Sequence, residues 1–201
     1  MSAVDEVAAA IRSGGLALIP TDTVYGLACS PYREEPVRRL SELKGRPLAQ
    51  PVALLVASVD SLLVCVPELR GRAGVLARAL LPGPYTLVLP NPAHRYPWLT
   101  GERLDAIGVR VPEVVGPGRQ LLDAVGALAA TSANLHGAPD PRSLDEVPAE
   151  LLAEAAALDG GPLPGVPSTV LDLTGAEPRV LREGAVATQD ALARVAAVLS
   201  Q

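Results

Sequence analysis

The sequence predicts an α/β fold built on a mixed parallel and antiparallel sheet, and three observations predict it. Short apolar runs bounded by Gly and Pro recur along the chain, as at 16–19, 51–56 and 85–89, and read as strands. Between them lie longer stretches with apolar residues at helical spacing, and strands that alternate with helices mark the α/β class. Some neighbouring strands leave no room for a crossover helix. Runs 168–173 and 179–181 are joined across a Thr174-Gly175-Ala176 turn, which requires an antiparallel pair.

Taken in order, Ser2 can cap a helix over 4–12, with Asp5 and Glu6 in its first turn and Gly14 ending it. Val4, Val7, Ala8 and Ile11 share one face of that helix. Strand 16–19 follows, then Pro20-Thr21-Asp22-Thr23-Val24-Tyr25-Gly26-Leu27, a strand-exit loop dense in hydroxyls. A helix over 34–43 turns Val37, Leu40 and Leu43 inward and ends at Lys44-Gly45-Arg46-Pro47. Strand 51–56 precedes helices at 58–64 and 68–81, the second stopped by Pro82-Gly83-Pro84. Strand 85–89, a polar loop over 90–104, strand 106–111, a short helix at 118–125 and strand 127–130 come next. Segment 143–154 is helical in parts, and 160–167 is a Gly- and Pro-rich loop. Thr188 is expected to cap the last helix, with Leu192, Val195, Ala196 and Leu199 facing one way. No linker or repeat divides the chain, so one domain over 1–201 is expected.

Composition narrows the function classes. Apolar content of 49% and charged content of 19% are those of a globular chain with a sizeable core. With no Phe, one Trp and four Tyr, that core must come from Leu, Val, Ala and Ile. A net charge of −5 argues against binding nucleic acid through overall charge, and leaves room for a local basic cleft. Cys29 and Cys65 are too few for a disulfide framework and suggest a reducing, cytoplasmic setting. No opening signal segment and no apolar run of about 18 residues is seen, so no membrane span is expected. His94 and His136 stand alone, and no metal-ligand spacing occurs.

Five places carry polar groups at strand ends. The loop after strand 16–19 offers Thr21, Asp22, Thr23 and Tyr25, and ligands in open α/β sheets bind at such exits. Lys44, the single lysine among 17 basic residues, stands with Arg46 ahead of a strand. Arg110 sits in a strand on the face opposite Val109 and Val111. It is either a solvated residue on an edge strand or an arginine aimed at an anion in a cleft, because a buried guanidinium without a partner is costly. Thr131-Ser132-Ala133-Asn134 is a turn or a set of ligand-facing groups, and Ser168-Thr169 with Arg182 is a strand start or another such set. Lys44, Arg46, Arg182 and Arg142 together suit polyphosphate, a point charge beside forked guanidiniums, although Arg142 reads better as a solvated charge. Walker, Rossmann and nucleophile-elbow patterns are missing, so any catalysis must rest on binding, orientation and charge stabilisation.

In order, Pro20–Leu27, Lys44-Gly45-Arg46-Pro47, Leu81-Pro82-Gly83-Pro84-Tyr85-Thr86-Leu87, Gly108-Val109-Arg110-Val111-Pro112, Thr131-Ser132-Ala133-Asn134 with Gly137, Pro167–Leu173 and Leu181-Arg182-Glu183-Gly184 resemble the threonylcarbamoyl-AMP synthase family and its YrdC-like fold. The resemblance implies that L-threonine, bicarbonate and ATP, with Mg2+, give threonylcarbamoyl-AMP and pyrophosphate. The product would pass to a tRNA threonylcarbamoyl transferase complex, and a direct tRNA contact stays open. By position, Thr23, Arg110, Ser132 and Ser168 resemble the threonine-binding residues. Arg46, Asn134 and Arg182 resemble the ATP-binding ones, with Gln50 and Arg142 at further contact positions. Lys44, Arg46 and Arg110 would carry the charge stabilisation, Lys44 on phosphate, and Asp22 is a candidate base or a structural carboxylate.

The chain departs from the family at four places: Gln50 where Lys or Asn is frequent, Arg142 for a small hydroxyl residue, Ala106 for Thr and Glu183 for Pro. Ending at Gln201, it is expected to correspond to the family's short form. Two other readings stay open, a domain that makes a carbamoyl adenylate and an RNA-binding module. Acidity and scarce aromatics count against the second.

Overall fold

The computed structural model describes residues 2–200; Met1 and Gln201, the two ends of the expected domain, lie outside the described residues. Helix α1 (Ala3–Arg12) opens with the expected capping box: Ser2 Oγ accepts from Asp5 N–H at 3.2 Å, and the Asp5 carboxylate accepts from Ser2 N–H at 3.0 Å. Strands β1 (Leu16–Ile19) and β2 (Gly26–Cys29) flank the hydroxyl-rich loop, and α2 (Glu34–Leu43) has the predicted bounds. Then come β3 (Ala53–Val56), α3 (Val59–Cys65), α4 (Gly71–Leu80), β4 (Tyr85–Pro90), β5 (Ala106–Arg110) and α5 (Gly116–Val125). The rest is β6 (Ala127–Ser132), α6 (Ala149–Glu154), β7 (Ala155–Ala157), β8 (Thr169–Asp172), β9 (Arg179–Arg182) and α7 (Thr188–Leu199).

All these strands join one sheet of order β7-β1-β2-β6-β3-β5-β4-β8-β9. Pairs β1/β7, β3/β5 and β4/β8 are parallel and the other neighbours antiparallel, so the sheet is mixed as the short connections require. Side chains alternate between the two faces. On one face Leu16, Leu18, Leu54, Leu87, Val109 and Leu171 meet α2, α4 and α7 in the larger core. On the other, Ala17, Ile19, Ala28, Leu55 and Leu128 meet Val7, Ala8 and Ile11 of α1 and Leu121 and Leu122 of α5. That second cover reaches only part of the face.

Four details differ from the sequence expectation. Strand β2 was not expected; Gly-Leu-Ala-Cys has little intrinsic strand preference, and pairing with β1 and β6 decides it. Strand β7 is Ala-Ala-Ala, a helix-favouring triplet drawn into the sheet by parallel pairing with β1. Thr188 does not cap α7. It is the first helical residue, Ala187 holds the cap position without a side-chain bond, and Glu183 Oε2 accepts the Thr188 N–H at 2.8 Å. The buried residues of α7 are Ala191 and Val195, whereas Ala196 and Leu199 are exposed.

Candidate active site

Where α1 and α5 stop, the same sheet face forms the floor of a cavity of about 480 Å³. Its floor is made of small residues: Gly26, Ala53, Ala106, Gly108 and Ala130. Each lies on a different strand or at period 2 from its neighbour, so one face presents little side-chain volume across four adjacent strands. The hollow therefore follows from residue size. Thr86 and Val88 of β4 and Val170 of β8 extend the floor.

Four arginines line it, Arg46, Arg103, Arg110 and Arg182, and Arg103 is already tied to Asp172 and Thr174. Arg110, at the end of β5, is only 8% exposed, and β5 lies between β3 and β4, so the edge-strand alternative is excluded. Its Nη2 donates to Asp22 Oδ1 at 2.6 Å and to Thr23 Oγ1 at 3.2 Å. Burial holds the guanidinium below its usual range; Asp22 opposes that shift and nearby Arg182 adds to it. Arg182, on β9, donates from Nη2 to the Ser168 carbonyl at 2.8 Å and to Ser168 Oγ at 3.2 Å, and Ser168 Oγ lies 2.8 Å from Thr86 Oγ1. Arg46 donates from Nη2 to the Pro51 carbonyl at 2.9 Å. The Nε atoms of Arg46 and Arg110 are both buried and have no partner. A buried donor without an acceptor is costly, so two unsatisfied N–H groups on cavity-lining arginines point to an anionic ligand.

The loop after β1 is held from several sides. Thr21 Oγ1 donates to the Val24 carbonyl at 2.7 Å and lies 3.1 Å from Thr23 Oγ1. Asp22 Oδ2 accepts from Glu113 N–H at 3.0 Å, so both its oxygens are engaged. Tyr25 is fully buried and does not line the cavity. Its hydroxyl accepts from Gly160 N–H at 2.9 Å and lies 2.9 Å from the Gly161 carbonyl, which pins the Gly-rich loop behind the site. The Thr23 carbonyl accepts from Gly165 N–H at 2.9 Å.

Arg46, Arg110, Ser132, Ser168 and Arg182 thus line one cavity, and Thr23, itself not a lining residue, is joined to it by the bond from Arg110. Four further expected residues do not line it either. Lys44 Nζ donates to the Ser132 carbonyl and, at 2.8 Å, to Asn134 Oδ1, so it ties the turn after α2 to the end of β6 and is not among the lining residues. Burial, with a smaller contribution from Arg46, pushes this ammonium down to about 8. Asn134 accepts from Lys44 and from Ser132 Oγ at 2.6 Å and donates to the Ala138 carbonyl, so its amide is consumed within the loop. Arg142 is exposed and its Nε donates to Glu146 Oε1 at 3.1 Å, a surface pair away from the lining. Gln50 sits between the lining residues Ala49 and Pro51 without itself contributing.

The structure also adds residues. Beside the expected Thr21, the residues Thr86, Glu102, Arg103 and Asp140 line the cavity. Thr86 was legible as a lone hydroxyl at period 2 with Val88 in an apolar strand; Glu102, Arg103 and Asp140 lie in loops where spacing carries no signal. Among the described residues no group of three or more His, Cys, Asp or Glu could hold a metal ion. Glu102 and Asp140 are the carboxylates on the cavity wall, which is not a resident magnesium cage. The arrangement offers hydroxyls and cations for an anionic, hydroxyl-bearing ligand.

Residues 9–184 match the Sua5/YciO/YrdC domain family, described as "Telomere recombination". The chain is 37% identical over 182 residues to the threonylcarbamoyl-AMP synthase of Pyrococcus abyssi, covering 90% of this chain and 53% of that protein. It is 37% identical over 192 residues to a putative threonylcarbamoyl-AMP synthase of Mycobacterium tuberculosis, covering 94% of this chain and 86% of that protein. The crystal structure of P. abyssi Sua5 complexed with L-threonine superposes with a TM-score of 0.83 at 35% identity, covering 95% of this chain and 56% of that one. This chain therefore spans about half the length of the Pyrococcus protein and most of the mycobacterial one.

Proposed function

The chain belongs to the Sua5/YciO/YrdC family, and from that premise we propose that it is an L-threonylcarbamoyladenylate synthase. It forms threonylcarbamoyl-AMP and pyrophosphate from L-threonine, bicarbonate and ATP, for the threonylcarbamoyladenosine modification of tRNA beside the anticodon. One observation carries the reading: Arg46, Arg110, Ser132, Ser168 and Arg182, scattered over most of the chain, line a single cavity.

In this reading Arg110 holds the threonine carboxylate, and Thr23, Ser132 and Ser168 orient its hydroxyl and amine. The free amine takes up carbon from bicarbonate to give a carbamate and water. A carbamate oxygen then attacks the α-phosphorus of ATP, and pyrophosphate leaves with the bonding pair. Arg46 and Arg182 stabilise the charge that develops on the phosphates. Moving an AMP group onto the carbamate makes the enzyme a nucleotidyltransferase. Magnesium enters on the triphosphate as part of the substrate, which suits a wall with isolated carboxylates. Lys44 and Asn134 keep Ser132 in place from behind, and Gln50 and Arg142 contact the nucleotide only if their loops close toward it. The product passes to a tRNA threonylcarbamoyl transferase complex. The cytoplasm suits the two free thiols, of which Cys29 is pushed up to about 12 by burial and is unreactive.

The test is pyrophosphate release from ATP with and without threonine and bicarbonate, with mass detection of threonylcarbamoyl-AMP. Release that needs both co-substrates is expected. Release that ignores threonine, or no release, would overturn the proposal.

A further inference from the structure

Arg110 lies at the end of β5 and Asp22 in the loop after β1, and three strands, β2, β6 and β3, lie between β1 and β5 in the sheet. The two side chains nonetheless meet at 2.6 Å, and each is about one-tenth exposed or less. Asp22 uses its two oxygens on the same exit segment: Oδ1 accepts from the Arg110 side chain, and Oδ2 accepts from the backbone N–H of Glu113, three residues on. Thr23 Oγ1 takes a second bond from Arg110 Nη2. Nη2, which carries two hydrogens, is thereby saturated by the protein, whereas the buried Nε–H has no protein acceptor.

We propose that Asp22 is a positioning residue that fixes one side of the Arg110 guanidinium so that its remaining donors face the ligand carboxylate. The assignment rests on the proposed threonine-binding role of Arg110. An arginine held at Nη2 loses less side-chain freedom when the ligand arrives, and its buried Nε–H, already aimed and without a protein acceptor, is left to bind a carboxylate oxygen. Only a carboxylate can perform this role. Arg110 and the Glu113 N–H sit on different oxygens of Asp22, so an asparagine in the same place would turn its NH2, a donor, toward one of these two donors. With both oxygens committed, Asp22 has no lone carboxylate oxygen directed at a substrate amine, and the structure assigns it to Arg110 instead of to proton transfer.

The experiment is calorimetric titration of L-threonine and of L-threoninamide, in which a neutral amide replaces the carboxylate, into the wild-type chain, Asp22→Asn and Asp22→Glu. Melting temperature serves as the folding control. In Asp22→Asn the threonine Kd is expected to rise by about tenfold or more, the scale of one charge-assisted hydrogen bond. The weaker threoninamide affinity should change by less than about twofold, because that ligand brings no charged oxygen to the Arg110 Nε–H. Asp22→Glu keeps the charge on a longer stem and should fall between the two. It carries the test if Asp22→Asn does not fold. Threonine affinity unchanged in a folded variant would overturn the positioning role. Tighter threonine binding would also overturn it, since Asp22 would then be a competitor for Arg110. Equal losses for both ligands would point to collapse of the loop and overturn it as well. A wild-type chain that binds no threonine would instead refute the functional reading on which the assignment stands.

Discussion

One sheet face is completed in two different ways. Over β1, β2 and β6, residues Ile19, Ala28 and Leu128 meet α1 and α5 and are buried. Over β3, β5 and β4, the same face carries Ala53, Gly108 and Thr86 and holds a cavity edged by Arg46, Arg110 and Arg182. Backbone geometry is shared, and Leu55 and Ala130 belong to both regions. Residue volume and charge make the difference: apolar bulk is covered by helices, and small residues beside arginines are left for a ligand. Stability should therefore reside in the first region and function in the second, and substitutions can separate the two.

The largest functional loss is expected at Arg110. Arg110→Lys keeps a charge beside Asp22 but removes the fork, so kcat/KM for threonine should fall on the order of 100-fold, with little change in melting temperature. Steady-state kinetics with a thermal melt will show whether the two readouts separate. Leu128→Ala tests the covered region. Leu128 is fully buried, so the variant should lose about 2–5 kcal/mol of stability in urea while KM values hold. A KM shift there would mean that the two regions are mechanically coupled.

Gly108→Val probes the border between them. A Cβ at position 108 would meet Thr86 Cγ2 at 3.8 Å and Ala53 Cα at 4.0 Å, ordinary contacts, so the strand has room for it. The remaining methyl groups would occupy the cavity floor. Affinity for threonine or ATP should drop by roughly tenfold, the cost of overfilling a site, without loss of stability. Retained affinity would show that the ligand does not sit on this floor.

The smallest effect is expected at Lys44. Burial lowers this ammonium from 10.5 to about 8, so between about pH 8 and 10.5 the unfolded chain binds more protons than the folded one. Wild-type stability relative to Lys44→Met should rise across that window, because the cost of the buried charge is present in full only below it. Melts of both proteins at pH 7 and 9.5 measure the change, and a pH-independent difference would contradict the shift.

How much of this was visible in the sequence depends on what kind of signal each feature leaves. Helix α2 and strand β8 stand out because apolar spacing and Gly or Pro boundaries are local. Strands β2 and β7 are invisible to that reading, since Gly-Leu-Ala-Cys and three alanines become strands only through their neighbours. In the site, Arg110 was marked by its place in an apolar strand, and its partner Asp22 was at hand 88 residues away with nothing to join them. Lys44 was read toward phosphate because a lone lysine ahead of a strand suggests an anion; its contacts with the Ser132 carbonyl and Asn134 arise only when β6 folds beside that turn. The cavity itself left the faintest trace. Gly26, Ala53, Ala106, Gly108 and Ala130 are unremarkable one at a time and become a floor only when the sheet aligns them.

The most direct test is a crystal structure with L-threonine and a non-hydrolysable ATP analogue bound together. Both ligands should occupy the one hollow above Gly108, with the threonine carboxylate on Arg110 and the triphosphate between Arg46 and Arg182. Either ligand seated elsewhere, or a carboxylate that leaves the Arg110 Nε–H without an acceptor, would contradict the account.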